Sequence, residues 1–330
     1  MTRGLLPFIQ RRLLQVLPVV LGIALLNFMV LQLAPGDVVD VLAGEAGAAT
    51  PESMAALRAQ FGLDRPVLAQ LGSYLWNIAH GNLGFSYRQN MPVFELIVTR
   101  LPATLLLMGL ALAIALLLGV LLGTLTALKP GSLFDHAVSV VVLFAYAMPT
   151  FWLGLMALVL FAGKLGWLPA GGMLTVGGEP GLWALVADIA RHALLPALTL
   201  STFYLAVYAR LMRGSMIETL GADFIRTARA KGASEPRVLL GHALRNASLP
   251  LVTMLGYQVA SLLSGAVLVE SVFSWPGLGR LAFEAVLARD FNLLLGILLL
   301  SSLLVTVINI AVDLVTVLLD PRVELQAVRT

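Results

Sequence analysis

Residues 101–128 read LPATLLLMGLALAIALLLGVLLGTLTAL and contain no Asp, Glu, Lys or Arg. A helix needs about 20 apolar residues to cross the roughly 30 Å hydrocarbon core of a bilayer. This stretch is long enough to do so. Helices in soluble proteins average only about 11–12 residues, so a large soluble protein explains such a run poorly.

Five further stretches share this apolar character, and the whole sequence is 59% apolar and 12% charged. An ordinary soluble domain is about a quarter charged. The fourth stretch is the weakest, because it is short and contains Pro196, Ser201 and Thr202. The sequence therefore predicts an all-α membrane protein with six transmembrane helices, at 13–34, 101–128, 137–163, 193–209, 249–272 and 293–319.

The first span follows a basic N-terminal segment that contains Arg3, Arg11 and Arg12, as the start of a secretory signal does. Its apolar run, however, is longer than the roughly 7–15 residues of a signal peptide. No pair of small residues with cleavage-site spacing precedes Pro35. We expect an uncleaved membrane anchor.

The positions of Lys and Arg predict the orientation of the spans, because these residues accumulate in cytoplasmic segments. With a cytoplasmic N-terminus, most of the 21 Lys and Arg residues lie in inner segments: Arg3, Arg11, Arg12, Lys129, Arg210, Arg213, Arg226, Arg229, Lys231, Arg237, Arg245, Arg322 and Arg329. Most of the acidic residues lie in the predicted outer segments or at the outer ends of the spans. We predict that both termini are cytoplasmic. The net charge of +3 then reflects topology, and nucleic acid is not an expected partner.

The residue types needed for catalysis or metal binding are not arranged for it. The chain has no cysteine, and its four histidines are far apart in sequence and show no metal-ligand spacing. The one Gly-Lys pair, Gly163-Lys164, has Leu158 and Leu165 where a phosphate-binding loop needs Gly and Ser or Thr. We therefore expect no catalytic site, no metal and no cofactor on this chain.

Small residues at four-residue spacing mark surfaces on which membrane helices can pack closely. The second span carries Ala111, Ala115, Gly119 and Gly123, and the fifth carries Gly256, Ala260 and Ser264. Packing within the chain is the favoured interpretation. A contact with a second membrane subunit is the alternative.

Two residues inside the spans are candidates for function. Pro149 removes a backbone hydrogen bond midway along the third span and is predicted to kink it, as a gate or as a simple bend. Asp313 is an acid within the sixth span, on the same helix face as Asn309. Pairing with a loop arginine is favoured over ion relay, because Asp313 lies near the cytoplasmic end.

Residues 35–100 form a polar segment that is predicted to lie on the outer side of the membrane. Thr50 is a good N-cap with Pro51 behind it, and a first helix is expected to end at Gly62. A second helix is predicted for 66–79. These helices are too small for a core of their own, and no hinge-like linker follows. We predict one membrane domain over 1–330, with 35–100 extracytoplasmic and 210–247 a cytoplasmic loop.

Residues 222–231 within that loop are compatible with a short helix. Asp223 near its start and Arg229 and Lys231 in its last turn match the helix dipole. Gly232 is well placed to end it. Helices shorter than about 12–15 residues are marginal alone in water, so this one must dock on something. The residues leave open whether it docks on the chain itself or on a cytoplasmic partner.

Residues 226–250, RTARAKGASEPRVLLGHALRNASLP, resemble the conserved cytoplasmic loop of ABC importer permeases in the variant of the dipeptide/oligopeptide branch. The general loop is EAA-x3-G-x9-I-x-LP. Here Arg226 and Thr227 stand in place of Glu and Ala, and the distance from Gly232 to Pro250 is longer, as is typical of the peptide branch. Further matching segments are 61–70 (FGLDRPVLAQ), 81–87 (GNLGFSY), 100–104 (RLPAT), 269–281 (VESVFSWPGLGRL), 287–291 (LARDF) and 318–322 (LLDPR).

Two segments depart from that branch, namely APGDVV at 34–39, where Pro often follows Gly-Asp, and Asn82, where Asp is usual. Both departures leave the substrate class open. The length of the segment between the first two spans resembles the B-type subunit of the branch. Its members import dipeptides, oligopeptides, glutathione, nickel chelates or opine-like compounds, so the resemblance leaves the cargo unnamed.

The resemblance implies the type I importer permease fold in the bacterial inner membrane. It also implies a second homologous permease subunit, two cytoplasmic ATPases that carry ATP and Mg²⁺, and an extracytoplasmic substrate-binding protein. The short helix would insert into a groove of one ATPase. Apolar contacts would come from Phe224, Ile225 and Ala228, polar contacts at the rim from Arg226, Arg229 and Lys231, and the turn from Gly232.

Two other classes of function fit the sequence less well. A secondary transporter driven by an ion gradient would favour several intramembrane ionisable residues and an internal repeat, whereas the sequence shows mainly Asp313 and no clear repeat. An intramembrane enzyme would need a nucleophile and a base at membrane depth. None is evident in the sequence.

Overall fold

The computed structural model describes residues 2–33, 39, 50–60, 62–177 and 181–319. The described chain is almost entirely helical, which confirms the predicted class. The N-terminal half contains α1 (Thr2–Leu33), α2 (Pro51–Gln60), α3 (Val67–Ala79), a two-stranded antiparallel hairpin of β1 (Phe85–Ser86) and β2 (Met91–Pro92), α4 (Val93–Leu128), α5 (Leu133–Ala147) and α6 (Thr150–Ala157), which continues as a π-helix over Leu158–Lys164.

The C-terminal half begins with the longest helix. Its elements are α7 (Leu182–Leu220), α8 (Asp223–Ala230), α9 (Glu235–Arg237), a π-helical turn (Val238–Ala243), α10 (Leu244–Ala247), α11 (Leu249–Val272), α12 (Leu278–Leu287) and α13 (Phe291–Leu319). The fifth predicted span, 249–272, coincides with α11.

Several helices are suited to cross a bilayer. Among the described residues, four are long and apolar enough, namely Val16–Leu33, Val93–Leu128, Leu182–Leu220 and Phe291–Val312. The pair Leu133–Ala147 and Thr150–Lys164 makes up to a fifth, and α11 contributes the shorter apolar helix Ser261–Val272. A multi-pass membrane protein is thus confirmed. The number six and the cytoplasmic placement of the termini stay predictions.

The span predicted to be the weakest lies within α7, the longest helix. Its polar residues lowered its hydropathy, but Thr199 and Ser201 are buried within the chain. The hydroxyls of Ser201 and Thr202 donate to the carbonyl oxygens of Leu198 (2.8 Å) and Thr199 (2.7 Å) of the same helix. Hydropathy underestimates such a helix, because it packs against protein on several sides and is not surrounded by lipid.

Pro149 breaks the third span, where a kink was predicted. Met148 and Pro149 adopt extended conformations with ψ of 137° and 130°, and the helices on either side differ in direction by 105°. The residue before a proline is disfavoured in helical conformation, and Pro149 has no N–H to donate. The two restrictions act together, which explains a break sharper than a kink. A gating role stays a prediction.

The chain forms two compact units, of which the first is Met1–Thr99 with Ala282–Ile310. In this unit the hydroxyl of Ser86 in the hairpin donates to the carboxylate of Asp290. Asp290 also accepts from the N–H of Leu293 (3.1 Å) and so caps α13. The side-chain amide of Asn27 donates to the carbonyl of Leu295 (3.1 Å), which ties α1 to α13.

The second unit is Arg100–Leu281 with Ala311–Thr330. Its centre is α7, which packs against α5, α6 and α11. An added Cβ would lie 2.6 Å from Cβ of Tyr208 at Gly119, and 2.5 Å from the carbonyl oxygen of Ala209 at Gly123. The small-residue stripe of the second span is therefore used for packing within the chain.

For the corresponding stripe of the fifth span, the structure does not show packing within the chain. The surroundings of Gly256 and the side chains of Ala260 and Asp313 lie outside what the structure describes. Ser264 is exposed. A contact of this stripe with a second membrane subunit stays a prediction.

Candidate functional site

Helix α8 ends at the glycine predicted to end it. Gly232 has φ of +83°, its N–H donates to the carbonyl of Arg229 (2.9 Å), and the N–H of Ala233 donates to that of Ala228 (3.2 Å). This pair of bonds is the Schellman motif, which requires a left-handed residue that glycine adopts at little cost. The helix is thus terminated by its own sequence, within one residue of the predicted end.

The two large apolar residues of α8 lie on different sides. Ile225 is 0% exposed, whereas Phe224 is 46% exposed. The expectation that both enter a groove on a partner does not fit this placement, because Ile225 is already covered by this chain. Helix α8 packs against the π-helical turn Val238–Ala243. Ile225 anchors α8, and Phe224 is left as its large exposed apolar group.

The charged residues of α8 are partly neutralised within the loop. Arg229 donates from Nε and Nη2 to the two carboxylate oxygens of Glu235 (2.8 and 3.1 Å). Arg226 lies 3.4 Å from Asp223. The hydrogen bond from Arg229 lowers the pKa of the Glu235 carboxyl below its ordinary value. Lys231 makes no ion pair within the part of the chain that the structure describes. Glu235 was missed from sequence, although it begins a helix three residues after Gly232.

The position of α8 lets it act on the membrane helices. It follows the last residue of α7, Leu220, after two residues only. The π-helical turn on which it packs also contacts α7, as does α10. A force applied to α8 therefore reaches α7, the central helix of its unit, through the chain and through side-chain packing.

A second cluster lies where α11 ends, and sequence reasoning did not single it out. The carboxylate of Glu270 is fully buried and accepts from the hydroxyl of Thr104 (2.7 Å) and from the N–H of Arg280 (3.0 Å). The Thr104 hydroxyl in turn accepts from the N–H of Leu278 (2.7 Å). The indole of Trp275 donates to the carbonyl of Ala103 (2.9 Å).

This cluster brings together two segments that resemble the peptide branch, 100–104 and 269–281. Neither neighbouring glycine has room for a side chain, because an added Cβ would lie 2.2 Å from the Glu270 carboxylate at Gly277 and 2.5 Å from Cα of Val267 at Gly279. An acid inside an otherwise apolar span is the sequence signal that could have revealed it. The cluster fixes the start of α12 against the start of the second predicted span.

The remaining predicted features are not brought together at one place. Pro149 lies at the break between α5 and α6, away in sequence from α8. Among the described residues, no group of three or more His, Asp or Glu side chains is placed to hold a metal ion. The contacts between these elements are those of helix packing.

Comparison with known proteins agrees with this architecture. Residues 119–325 match the family described as "Binding-protein-dependent transport system inner membrane component", and residues 5–108 match its N-terminal counterpart. A chain of the inward-facing MetNI methionine ABC transporter has a similar fold, with a TM-score of 0.50, 20% identity, and coverage of 69% of this chain and 94% of that chain.

Closely related sequences are found in other bacteria. The dipeptide transport system permease protein DppB of Escherichia coli (strain K12) is 41% identical over 339 residues, covering 97% of this chain and 99% of that protein. The di/tripeptide transport system permease protein DppB of Pseudomonas aeruginosa (strain UCBPP-PA14) is 42% identical over 336 residues, covering 98% and 100%.

The fold and the loop around α8 define a multi-pass transport permease of the bacterial inner membrane, a subunit of an ATP-driven importer. The chain belongs to the family of binding-protein-dependent transport system inner membrane components. The resemblance stated from sequence is confirmed, and the secondary transporter is not supported.

Proposed function

We propose that this chain is one of two homologous permease subunits of a peptide importer. Two cytoplasmic ATPases, which carry ATP and Mg²⁺, drive it, and an extracytoplasmic binding protein delivers the peptide. The chain itself catalyses no reaction and needs no cofactor. The observation that carries the proposal is the exposed Phe224 on a helix that is closed by Gly232 and joined directly to α7.

The peptide class rests on the relatives. Two proteins that match nearly the whole chain are named for dipeptide and for di/tripeptide transport. Both are called DppB, which agrees with the B-type subunit proposed here. A peptide of a few residues is the substrate class these likenesses support best.

Different residues of α8 contact the ATPase and this chain, and in this way α8 couples the two. Phe224 enters an apolar groove of an ATPase, with Ala228, Arg226 and Lys231 at its edge. Ile225 holds the helix to the π-helical turn, and Arg229 braces it against Glu235. When the ATPases close on ATP, α8 moves as a rigid body and carries α7 with it. Rigid-body movement of packed helices is a common way to switch between two conformations.

Pro149 is the hinge proposed for this switch. The extended Met148–Pro149 pair lets α5 and α6 change direction without breaking a helical hydrogen bond at the turn. Helix α6 packs on α7, so a movement of α7 is passed to the broken span.

A single cysteine tests the coupling directly, because the chain contains none. Phe224→Cys, labelled in the purified complex with a maleimide that carries a photoreactive benzophenone, is expected to form a crosslink with an ATPase subunit on irradiation. Phe224→Asp is expected to abolish ATP-dependent uptake of a labelled dipeptide into proteoliposomes, while membrane insertion is unchanged. An aspartate in an apolar groove is costly to desolvate.

The matched control is Val176, a fully exposed apolar residue that is predicted to lie on the outer side. Val176→Cys is expected to give no ATPase crosslink, and Val176→Asp to leave uptake intact. The proposal fails if Phe224→Cys reacts with no ATPase, or if Phe224→Asp transports as well as the natural chain.

A further inference from the structure

A cavity of about 240 Å³ lies between α4, α5 and α7, at the end of these helices that leads to α8. Its walls include Thr126 near the end of α4, Ser139 and Tyr146 on α5, and Arg210 and Arg213 on α7. Thr126 is two residues from the last residue of α4. Arg210 and Arg213 follow the fourth predicted span, 193–209, so the cavity lies at the predicted inner end of that span.

The two arginines of the cavity differ in their partners. Arg213 is neutralised by Asp135, whose carboxylate oxygens accept from its Nε and Nη2 at 2.7 Å each. Asp135 also accepts from the N–H of Gly131 (2.9 Å) and is buried. Arg210, in contrast, has no hydrogen-bonded or ionic acceptor among the described residues. One arginine of the cavity wall is thus left with an uncompensated charge.

The guanidinium of Arg210 is nevertheless held in place. Its central carbon lies 5.4 Å from the centroid of the Tyr146 ring. Tyr146 in turn stacks on Phe203, with the ring centroids 4.9 Å apart and the planes 20° from parallel. A cation over an aromatic face is attracted to the ring and keeps its N–H donors for other acceptors. Arg210 is a positioned donor for an anion.

The rest of the cavity is apolar and opens sideways. Val138, Val142 and Leu143 of α5 line it, and Leu143 is also 60% exposed. On the same helix, the neighbouring side chains of Val140, Val141 and Phe144 are exposed as well. The apolar wall thus continues from the cavity onto the outside of α5. This shape fits a ligand with an anionic head and an apolar chain.

We propose that this cavity binds an anionic phospholipid of the leaflet on the α8 side, with the phosphate on Arg210 and an acyl chain along Val138, Val142 and Leu143. Basic cavities between membrane helices on the cytoplasmic side are known to take such headgroups. A peptide is the other candidate ligand. Its amino terminus would need a carboxylate, and the carboxylate beside the cavity, Asp135, is already occupied by Arg213 and Gly131.

The experiment uses the full chain purified with the subunits that accompany it, in nanodiscs of equal parts phosphatidylglycerol and phosphatidylcholine. Lipid that remains bound after extraction into detergent is counted by native mass spectrometry. The natural chain is expected to retain phosphatidylglycerol in preference to phosphatidylcholine. Arg210→Gln should lower that retention roughly tenfold or more, as expected for the loss of a hydrogen-bonded charge. Ser139→Trp, which fills the cavity from an exposed position, should lower it as well.

The control is Arg191→Gln, the same change on the same helix towards its other end, which should leave retention unchanged. Equal retention by the natural chain and Arg210→Gln would overturn the proposal. So would displacement of the lipid by a dipeptide, which would assign the cavity to a peptide carboxylate. Inorganic phosphate is added to the natural chain in pure phosphatidylcholine. If it raises the melting temperature as much as phosphatidylglycerol does, the site takes free anions and the lipid proposal fails. These readouts do not require transport, so they stand apart from the test of the proposed function.

Discussion

The conformation of Gly232 shows how one residue determines the shape of the loop that contains α8. Its φ of +83° lies in a region that L side chains rarely adopt, while no atom would obstruct a Cβ there. The requirement for glycine is therefore one of backbone conformation and not of space. Because Gly232 closes α8, the direction in which the chain leaves the helix depends on it.

Gly232→Ala is expected to destabilise the end of α8 by about 1 kcal/mol, the cost of a left-handed non-glycine residue. ATP-dependent uptake should fall, because α8 no longer holds a single position against its partner. Uptake and ATPase rate are measured on the same proteoliposomes.

Gly214→Ala is the matched control for this change, since Gly214 lies within α7 and has open space around it. Alanine is favoured over glycine inside a helix, so this variant should be neutral or slightly more stable. Equal uptake by the two alanine variants would contradict the role given to the Gly232 backbone.

The ion pair between Arg229 and Glu235 makes the stability of the loop around α8 depend on pH. The pKa of Glu235 is lowered in the folded chain, so its contribution is present above the ordinary carboxyl pKa of about 4.3 and is lost as the pH falls below it. Protection of the α8 amides from hydrogen exchange, corrected for the intrinsic rate, should thus be constant between pH 8 and 6 and fall under acid conditions. Glu235→Gln should remove this acid dependence. The same dependence in the variant would contradict it.

At the scale of elements, the second unit depends on contacts that leave no room for side chains. Gly119 and Gly123 let α4 approach α7 at Tyr208 and Ala209. Without a hydrophobic driving force in lipid, such close packing is a main source of helix association. Where α11 ends, buried hydrogen bonds serve the same purpose, with Glu270 and Thr104 holding the start of α12.

Gly123→Ala should destabilise the chain by about 1–3 kcal/mol, because the new methyl group would clash with the backbone of α7 and the helices would have to move apart. Gly109→Ala, on the same helix but with nothing within 4 Å, is the control and should be neutral or mildly stabilising. Thermal melting in detergent compares the two. A melting temperature equal to that of the natural chain for Gly123→Ala would show that the stripe does not pack here.

Thr104→Val keeps the shape of the side chain but removes the hydroxyl between Glu270 and the N–H of Leu278. Two buried polar groups lose a partner, so a loss of about 1–3 kcal/mol is expected. Thr104→Ser retains the hydroxyl and should lose much less. If Thr104→Val melts at the same temperature as the natural chain, the hydrogen bonds of this hydroxyl do not stabilise the cluster.

At the scale of the whole molecule, the chain is a transmembrane subunit of an ATP-driven importer. The described residues form two compact units, and the family match covers 5–108 and 119–325. A subunit of this kind must be studied in its complex.

Uptake of a dipeptide by the reconstituted complex should stop when ATP is withdrawn and continue when ionophores collapse the ion gradients. An ion-driven transporter would respond in the opposite way. The measurement is made in proteoliposomes loaded with ATP, with a non-hydrolysable nucleotide as control. Uptake without ATP would contradict the proposed energy source.

The sequence by itself determined those properties that depend on local composition. Long apolar runs specify membrane helices whatever surrounds them, Gly232 ends α8 because of its own backbone, and Pro149 interrupts the third span because it lacks an N–H. The family could also be identified, because its motifs are contiguous in the chain.

Only the tertiary structure decided which of two similar residues has its partner within the chain and which is left exposed or unpaired among the described residues. Ile225 is buried and Phe224 exposed, Arg213 is neutralised and Arg210 is not, and Glu270 meets Thr104 across a separation of 166 residues. Burial and pairing depend on elements that are distant in sequence. A local sequence pattern therefore does not predict them. For the same reason the weakest predicted span proved to lie in the central helix, since polar residues lower hydropathy whether they face lipid or protein.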